Sequence, residues 1–180
     1  MKEKLMKLQE LLERYDDGER DFSGIVLRDV TCMHSIDLSE VNLSHANLSG
    51  ADLCGVWFEG ADLSGADLSG ANLAESDLRR ANLSEANLSD ADLYEANLTE
   101  ANLTRACLRN AYLDEPLMER ANLTGVDFRE ARVLLSDRIL RYDRGCYGVI
   151  LCDTILPDGT IRNDHCTTLP DGTVRNDPRL

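Results

Sequence analysis

Ala61-Asp62-Leu63-Ser64-Gly65-Ala66-Asp67-Leu68-Ser69-Gly70-Ala71-Asn72-Leu73 repeats one five-residue phrase, and that phrase decides the fold. Call the Leu position i. From Leu38 to Val133 a centre falls on every fifth residue, giving twenty units without a slip. Sixteen centres are Leu; the others are Phe58, Met118, Phe128 and Val133. Ala holds i−2 in fourteen units, and Asp or Asn holds i−1 in fifteen. Ser and Thr are common at i+1. Upstream, Met33 keeps the register, whereas Phe22 and Leu27 stand one residue out of phase. A one-residue bulge or loose turn is therefore expected between Leu27 and Met33.

A straight strand cannot carry this period. Side chains alternate along a strand, so residues five apart face opposite ways and half the Leu would reach water. A helix fails too: at about 100° per residue, each step of five turns the Leu by roughly 140° and spreads it around the circumference. Asn, Asp, Ser and Gly at this density also disfavour a helix interior. One arrangement keeps every Leu inside. The chain bends once per unit, with i−2 and i on one face of a short extended segment and the bend at i+1 and i+2. A chain that always bends the same way coils, and stacked coils pair their backbone groups at roughly 4.8 Å spacing. The core is then distributed along a rod, which suits a chain with only 5% aromatic residues. Its stability is mostly nearest-neighbour, coil on coil.

The unit A-(D/N)-L-(S/T)-x, as in Ala61-Asp62-Leu63-Ser64-Gly65, resembles the pentapeptide-repeat family. That resemblance implies an all-β solenoid: a right-handed quadrilateral β-helix with four units per coil, here about five to six coils. The period alone does not choose between four units and three. With four, residues twenty apart stack. The face centred on Leu53, Leu73, Leu93, Leu113 and Val133 is then the most acidic, with Asp52, Glu75, Asp92, Glu95, Asp114 and Glu115 against Arg132.

Three segments are expected: 1–21 as an N-terminal capping helix and linker, 22–135 as the repeat rod, and 136–180 as a C-terminal cap. Leu5, Leu8, Leu11, Leu12 and Tyr15 recur at helical spacing with Lys and Glu opposite, predicting an amphipathic helix over 3–15 that covers the first coil. A dimerising coiled coil is disfavoured because the pattern lasts barely two heptads. In the tail, Ser136 or Asp137 is placed to cap a short helical turn ending near Gly145, and Tyr147–Leu151 reads as a strand. Thr154-Ile155-Leu156-Pro157-Asp158-Gly159-Thr160 then recurs thirteen residues on as Thr167-Thr168-Leu169-Pro170-Asp171-Gly172-Thr173. Pro-Asp-Gly is a turn signal, so each copy predicts a small hairpin. An N-terminal helix and a C-terminal L/M-P-D-G-T element are similar to those of many cyanobacterial members of the family.

The chain carries 19 basic and 33 acidic residues, a formal net charge of −14. Residues 22–136 hold 8 basic and 19 acidic groups, so −11 of that charge lies on the rod. So much acid argues against direct binding to nucleic acid or an anionic membrane. The N-terminus lacks the apolar core of a secretory signal, and the cytoplasm is the default location. The six cysteines show no paired spacing and read as free thiols.

Chemistry is not legible in this chain. Asp and Asn at i−1 belong to the repeat. Cys152, His165 and Cys166 lack the CxxC spacing of a metal site, and no nucleophile–base set stands out. No catalytic group, cofactor or metal is expected. The breaks at i−1 are more informative: Trp57, Cys107, Tyr112, Leu117 and Arg132. Because i−1 points outward, Trp57, Tyr112 and Leu117 are candidate partner contacts, with cover by a neighbouring loop or tail the favoured alternative. Glu75, Glu95 and Glu115 on the acidic face are candidates with them. The expected function is a non-enzymatic structural or protein-interaction module for an unknown protein partner, with a monomer favoured over a dimer. The resemblance implies one alternative, an acidic DNA mimic that binds a type II topoisomerase such as gyrase.

Overall fold

The computed structural model describes residues 4–27, 30, 35–133, 151–156, 159–164, 166–168 and 174–176. Its rod is a ladder of parallel bridges between residues twenty apart: Asn42 pairs with Asp62, Asp62 with Asn82, Asn82 with Asn102 and Asn102 with Asn122. Twenty residues are four units of five, so four units make one coil. Three backbone bonds per unit tie each coil to its neighbours. In the unit of Leu63, Leu63 N donates to Asn82 O (2.8 Å), Gly65 N to Ser84 O (2.8 Å) and Asp62 N to Val41 O (2.8 Å).

Corners with Asp or Asn at i−1 share one construction. The i−1 carboxylate or amide oxygen accepts from the backbone N–H of i+1, as Asp62 does from Ser64 at 3.0 Å. The turn closes when the next Ala N–H donates back to the Leu carbonyl, as Ala66 does to Leu63 at 3.1 Å. The residue at i+2 takes positive φ in every corner from Glu40 to Gly125. Glycine fills it at 50, 55, 60, 65 and 70, and charged residues such as Glu75, Arg80 and Glu85 fill it further along. At Gly65 the demand is double. Its φ is +62°, and a Cβ there would stand 2.5 Å from His45 Nδ1 of the preceding coil.

Inside, Leu at i and Ala at i−2 form one continuous core from Met6 to Phe128. Phe58 and Phe128 replace Leu at i and are fully buried. Ser76, a buried exception at i−2, donates its hydroxyl to Leu73 O at 2.7 Å. Pro116 is another exception. The turn bond made by Ala111 N to Leu108 O and by Ala121 N to Met118 O has no donor there.

The register shift expected near Leu27 is present. Asp21 bridges Asn42 and Val26 bridges Asn47, each twenty-one apart, whereas Asp37 bridges Trp57 at twenty. Asp52 N still reaches Val30 O, twenty-two back, and Trp57 N reaches Ile36 O, twenty-one back. The extra residue therefore enters between Val30 and Ile36. Met33 lies outside the described residues.

The N-terminus departs from the helix expected over 3–15. Strand β1 (Lys4–Met6) pairs in parallel with β2 (Ile25–Leu27), and helix α1 runs only over Leu8–Asp16. The reason is the open edge of the first coil, whose backbone groups need partners. Once 4–6 are extended, alternation puts Met6 in the core and leaves Leu5 64% exposed. From Leu8 on, the helical reading stands. Leu11 is fully buried, and Leu8, Leu12 and Tyr15 pack beside it against the core. Tyr15 Oη donates to Ser39 O at 2.9 Å, and the Arg14 guanidinium lies 5.5 Å above the Phe22 ring.

Beyond β3 (Tyr112–Leu113) and β4 (Arg132–Val133), which pair in parallel at twenty-residue spacing, two antiparallel pairs follow. Strands β5 (Leu151–Ile155) and β6 (Ile161–Asp164) flank the first Pro-Asp-Gly-Thr copy; β7 (Cys166–Thr168) and β8 (Val174–Asn176) flank the second. The turn expected over 136–145 and the strand residues 147–150 lie outside the described residues.

Candidate functional site: the faces of the rod

The i−1 side chains form columns up each face, and the columns follow a charge rule. Asn42, Asn72, Asn82 and Asn87 each donate an Nδ2 hydrogen to an Asp Oδ1 of the preceding coil, at 3.0–3.1 Å. Among the described residues no bridge of the rod pairs Asp with Asp. Coil spacing of roughly 4.8 Å explains why: stacked carboxylates would repel, whereas an amide between them supplies a donor. Asn72→Asp, which would put three carboxylates in a row with Asp52 and Asp92, is expected to cost about 1–3 kcal/mol at pH 7 and low salt. Urea denaturation should show the loss shrinking in high salt and on acidification toward pH 4. An unchanged midpoint would refute the rule.

Trp57 and Leu117 break the columns differently. They stand in one column, Asp37–Trp57–Asp77–Asn97–Leu117. Their exposures are 50% and 46%, so no described loop or tail covers them. Beside Trp57 runs an ion-pair cluster that spacing did not reveal. Arg79 Nη2 lies 2.6 Å from Asp77 and 2.9 Å from Glu59, and Arg80 also pairs with Glu59. Burial pushes the Asp77 carboxyl up, but the hydrogen bonds from the Arg79 side chain and backbone outweigh it and hold the group below its ordinary value.

Tyr112 belongs to the neighbouring face. Its ring stacks on Tyr94 with centroids 6.5 Å apart and planes at 21°. Tyr94 sits at i+1, a position mostly of Ser, Thr and charge, and an aromatic there was the overlooked signal. The hydrogen bond to Glu95 and that carboxylate's charge push the Tyr94 phenol up to about 12. Partial desolvation, then the charge of Asp114, raises Tyr112. Glu75, Glu95 and Glu115 occupy successive i+2 corners with φ of 57°, 51° and 54°.

The four-unit coil thus splits the six candidate residues between two faces that share one edge, with Trp57 three coils from Leu117. The corner column of Glu75, Glu95 and Glu115 ends the Tyr94–Tyr112 face and begins the face of Trp57 and Leu117. Tyr112, Glu115 and Leu117 follow one another around that edge within six residues. The edge offers aromatic and aliphatic surface beside carboxylates on a rigid, flat ladder. Among the described residues no group of His, Cys, Asp and Glu is arranged to hold a metal ion. Cys54 is buried and Cys107 exposed. No described helix is long and apolar enough to cross a membrane.

Comparison with known proteins follows the same geometry. A model of pentapeptide repeats matches residues 36–73 and 76–114, with eight copies. Among solved structures, the pentapeptide repeat protein Rfr23 from the cyanobacterium Cyanothece 51142 is 25% identical, with 77% of this chain and 90% of that one covered and a TM-score of 0.40. A pentapeptide repeat protein from the Arabidopsis thaliana thylakoid lumen is 32% identical over 69% and 68% of the two chains, with a TM-score of 0.22. Full-length QnrB1, a plasmid-mediated fluoroquinolone resistance protein, is 17% identical over 72% and 90%, with a TM-score of 0.31. No curated protein gives a match.

Proposed function

This chain is a member of the pentapeptide-repeat family, with the right-handed β-helix type of fold that its repeats imply, and from that premise we propose that it is a non-enzymatic protein-interaction module. Its contact surface runs along the edge formed by Glu75, Glu95 and Glu115, with Tyr112 and Leu117 at one end and Trp57, three coils from Leu117, toward the other. The observation that carries this reading is the exposure of Trp57 and Leu117, at 50% and 46%, where the repeat otherwise places Asp or Asn. A half-exposed Trp on a rigid surface gives up little conformational entropy on binding, and Trp and Tyr dominate interface energetics. The rod works as a monomer in the cytoplasm, with α1 and the tail hairpins closing its two ends and the acidic surface keeping its sides apart.

The test is affinity capture from the native host with the full chain as bait, followed by binding measurements on the protein recovered. Trp57→Ala is expected to weaken that binding by about 2 kcal/mol or more, roughly thirtyfold. The unfolding midpoint should stay unchanged, since the side chain lies outside the core. Equal capture by wild type and Trp57→Ala would remove the edge from the function.

The Glu75–Glu95–Glu115 column favours a second reading, an acidic mimic of DNA that binds a type II topoisomerase. It steps like charges along one line at the coil spacing, roughly 4.8 Å. Salt-sensitive inhibition of gyrase supercoiling that disappears when the three Glu are changed to Lys would select this reading over the first.

A further inference from the structure

The end of strand β5 and the residue after it, Thr154, Ile155 and Leu156, sit on the last coil. Ile155 N donates to Val126 O at 2.9 Å, and Phe128 N donates to Ile155 O at 2.8 Å. The hydroxyl of Thr154, which is fully buried, donates to Leu123 O at 2.7 Å, and Leu156 is buried beside it. Ile155 bridges Asp127 in parallel, as the next coil would, but at twenty-eight residues instead of twenty. The rod therefore has a seat at its C-terminal end that reads a threonine hydroxyl, one extended backbone residue and a leucine.

The chain contains that combination twice. Thr167-Thr168-Leu169 repeats Thr154-Ile155-Leu156, and both run into Pro-Asp-Gly-Thr. The Thr and the Leu are identical. The middle residue changes from Ile to Thr where the seat uses backbone N–H and C=O, and both residues are β-branched and suited to an extended conformation. Strand β7, Cys166–Thr168, already holds Thr167 and Thr168 in a hairpin of the same kind. There is one seat and there are two segments that fit it.

We propose that the second hairpin is a duplicate plug, an alternative occupant of the seat on Leu123, Val126 and Phe128. Thirteen further residues in the connecting loop are a small obstacle, because loop closure grows only with the logarithm of length. The device keeps the terminal coil edge paired when the first hairpin is drawn away, and an open edge is what invites pairing with another chain.

The test uses the full chain and the Phe128 amide, whose hydrogen-exchange protection reports occupancy of the seat. Ile155→Pro removes the N–H that bonds Val126. With a duplicate in place, protection in Ile155→Pro should fall by less than about tenfold, and Thr168→Pro alone should change nothing. The double variant should lose at least about a hundredfold more. In Ile155→Pro, NOE contacts of the Phe128 amide should move from residue 155 to Thr168. The milder Thr154→Val, which deletes only the hydroxyl, should show both sets of contacts at once. Loss in Ile155→Pro as large as in the double variant, or no Phe128 contact to Thr168 in either variant, overturns the proposal.

Discussion

Leu83→Asp is expected to unfold the middle of the rod, at a cost of about 4 kcal/mol or more. Leu83 is fully buried and lies between Leu63 and Leu103 in an interior column. Removing it leaves a cavity, which alone costs about 2–5 kcal/mol for a change to Ala. Asp adds a carboxyl with no donor in reach, since the neighbouring backbone N–H groups are spent on the ladder: Leu63 N on Asn82, Asn82 N on Ala61, Leu83 N on Asn102. The damage should be local at first. Coils communicate through nearest neighbours, so amide exchange should accelerate most in the coils around residue 83 and less toward the ends. Ser84→Lys is the control one residue away. Ser84 points outward and donates its hydroxyl to Asn82 Oδ1 at 2.8 Å. Its replacement should cost no more than about 1 kcal/mol. Urea denaturation followed by circular dichroism compares the two. Similar costs would mean that the inside and outside of the unit have been assigned wrongly.

Leu11→Ala should be the next most damaging change, at about 2–5 kcal/mol. Leu11 is the residue of α1 with no exposed surface, and it shares one core with Phe22, Ile25 and Leu27 of the first coil. For a chain of this size that corresponds to a fall in unfolding midpoint of roughly 5–15 °C. Glu13→Ala on the exposed side of the same helix should move the midpoint by no more than about a degree or two. If both variants melt with the wild type, α1 rests on the rod without stabilising it. The contrast also bears on assembly. A first coil stripped of its helix presents an apolar end, so Leu11→Ala should self-associate at concentrations where wild type and Glu13→Ala do not.

Much of this was legible from residues alone, because a five-residue period is a local property. Which side chain faces inward depends on bonds within one unit. Leu63, Leu83 and Leu103 are therefore identifiable as core, and Asp62 or Asn82 as surface, without any knowledge of what stacks on them. The strand at Lys4–Met6 was misread for the opposite reason. Leu5 and Leu8 fit helical spacing, but the backbone of 4–6 was recruited by the open edge of Ile25–Leu27, a partner twenty-one residues away. Propensity gives way there to an edge that needs hydrogen bonds.

The candidate contact edge was legible only in pieces. Trp57, Tyr112 and Leu117 announced themselves as exceptions at i−1, and the three Glu as acid at i+2. Tyr94 did not, because its role comes from a ring in the adjacent coil, eighteen residues away in sequence. The choice of Asp or Asn at i−1 was visible in fifteen of the twenty units yet had no meaning until the stacking interval was known.

The twenty in-register units, their inward Leu and Ala and their outward Asp and Asn were determined by the sequence itself, since each follows from what one bent, five-residue segment can bury. The number of units per turn, the entry of the extra residue between Val30 and Ile36, the meeting of two faces at the Glu75–Glu95–Glu115 corner and the seating of Ile155 on the last coil were decided by the tertiary structure. Each of these depends on backbone and side-chain pairing between residues twenty or more apart, and only a closed coil brings such residues together.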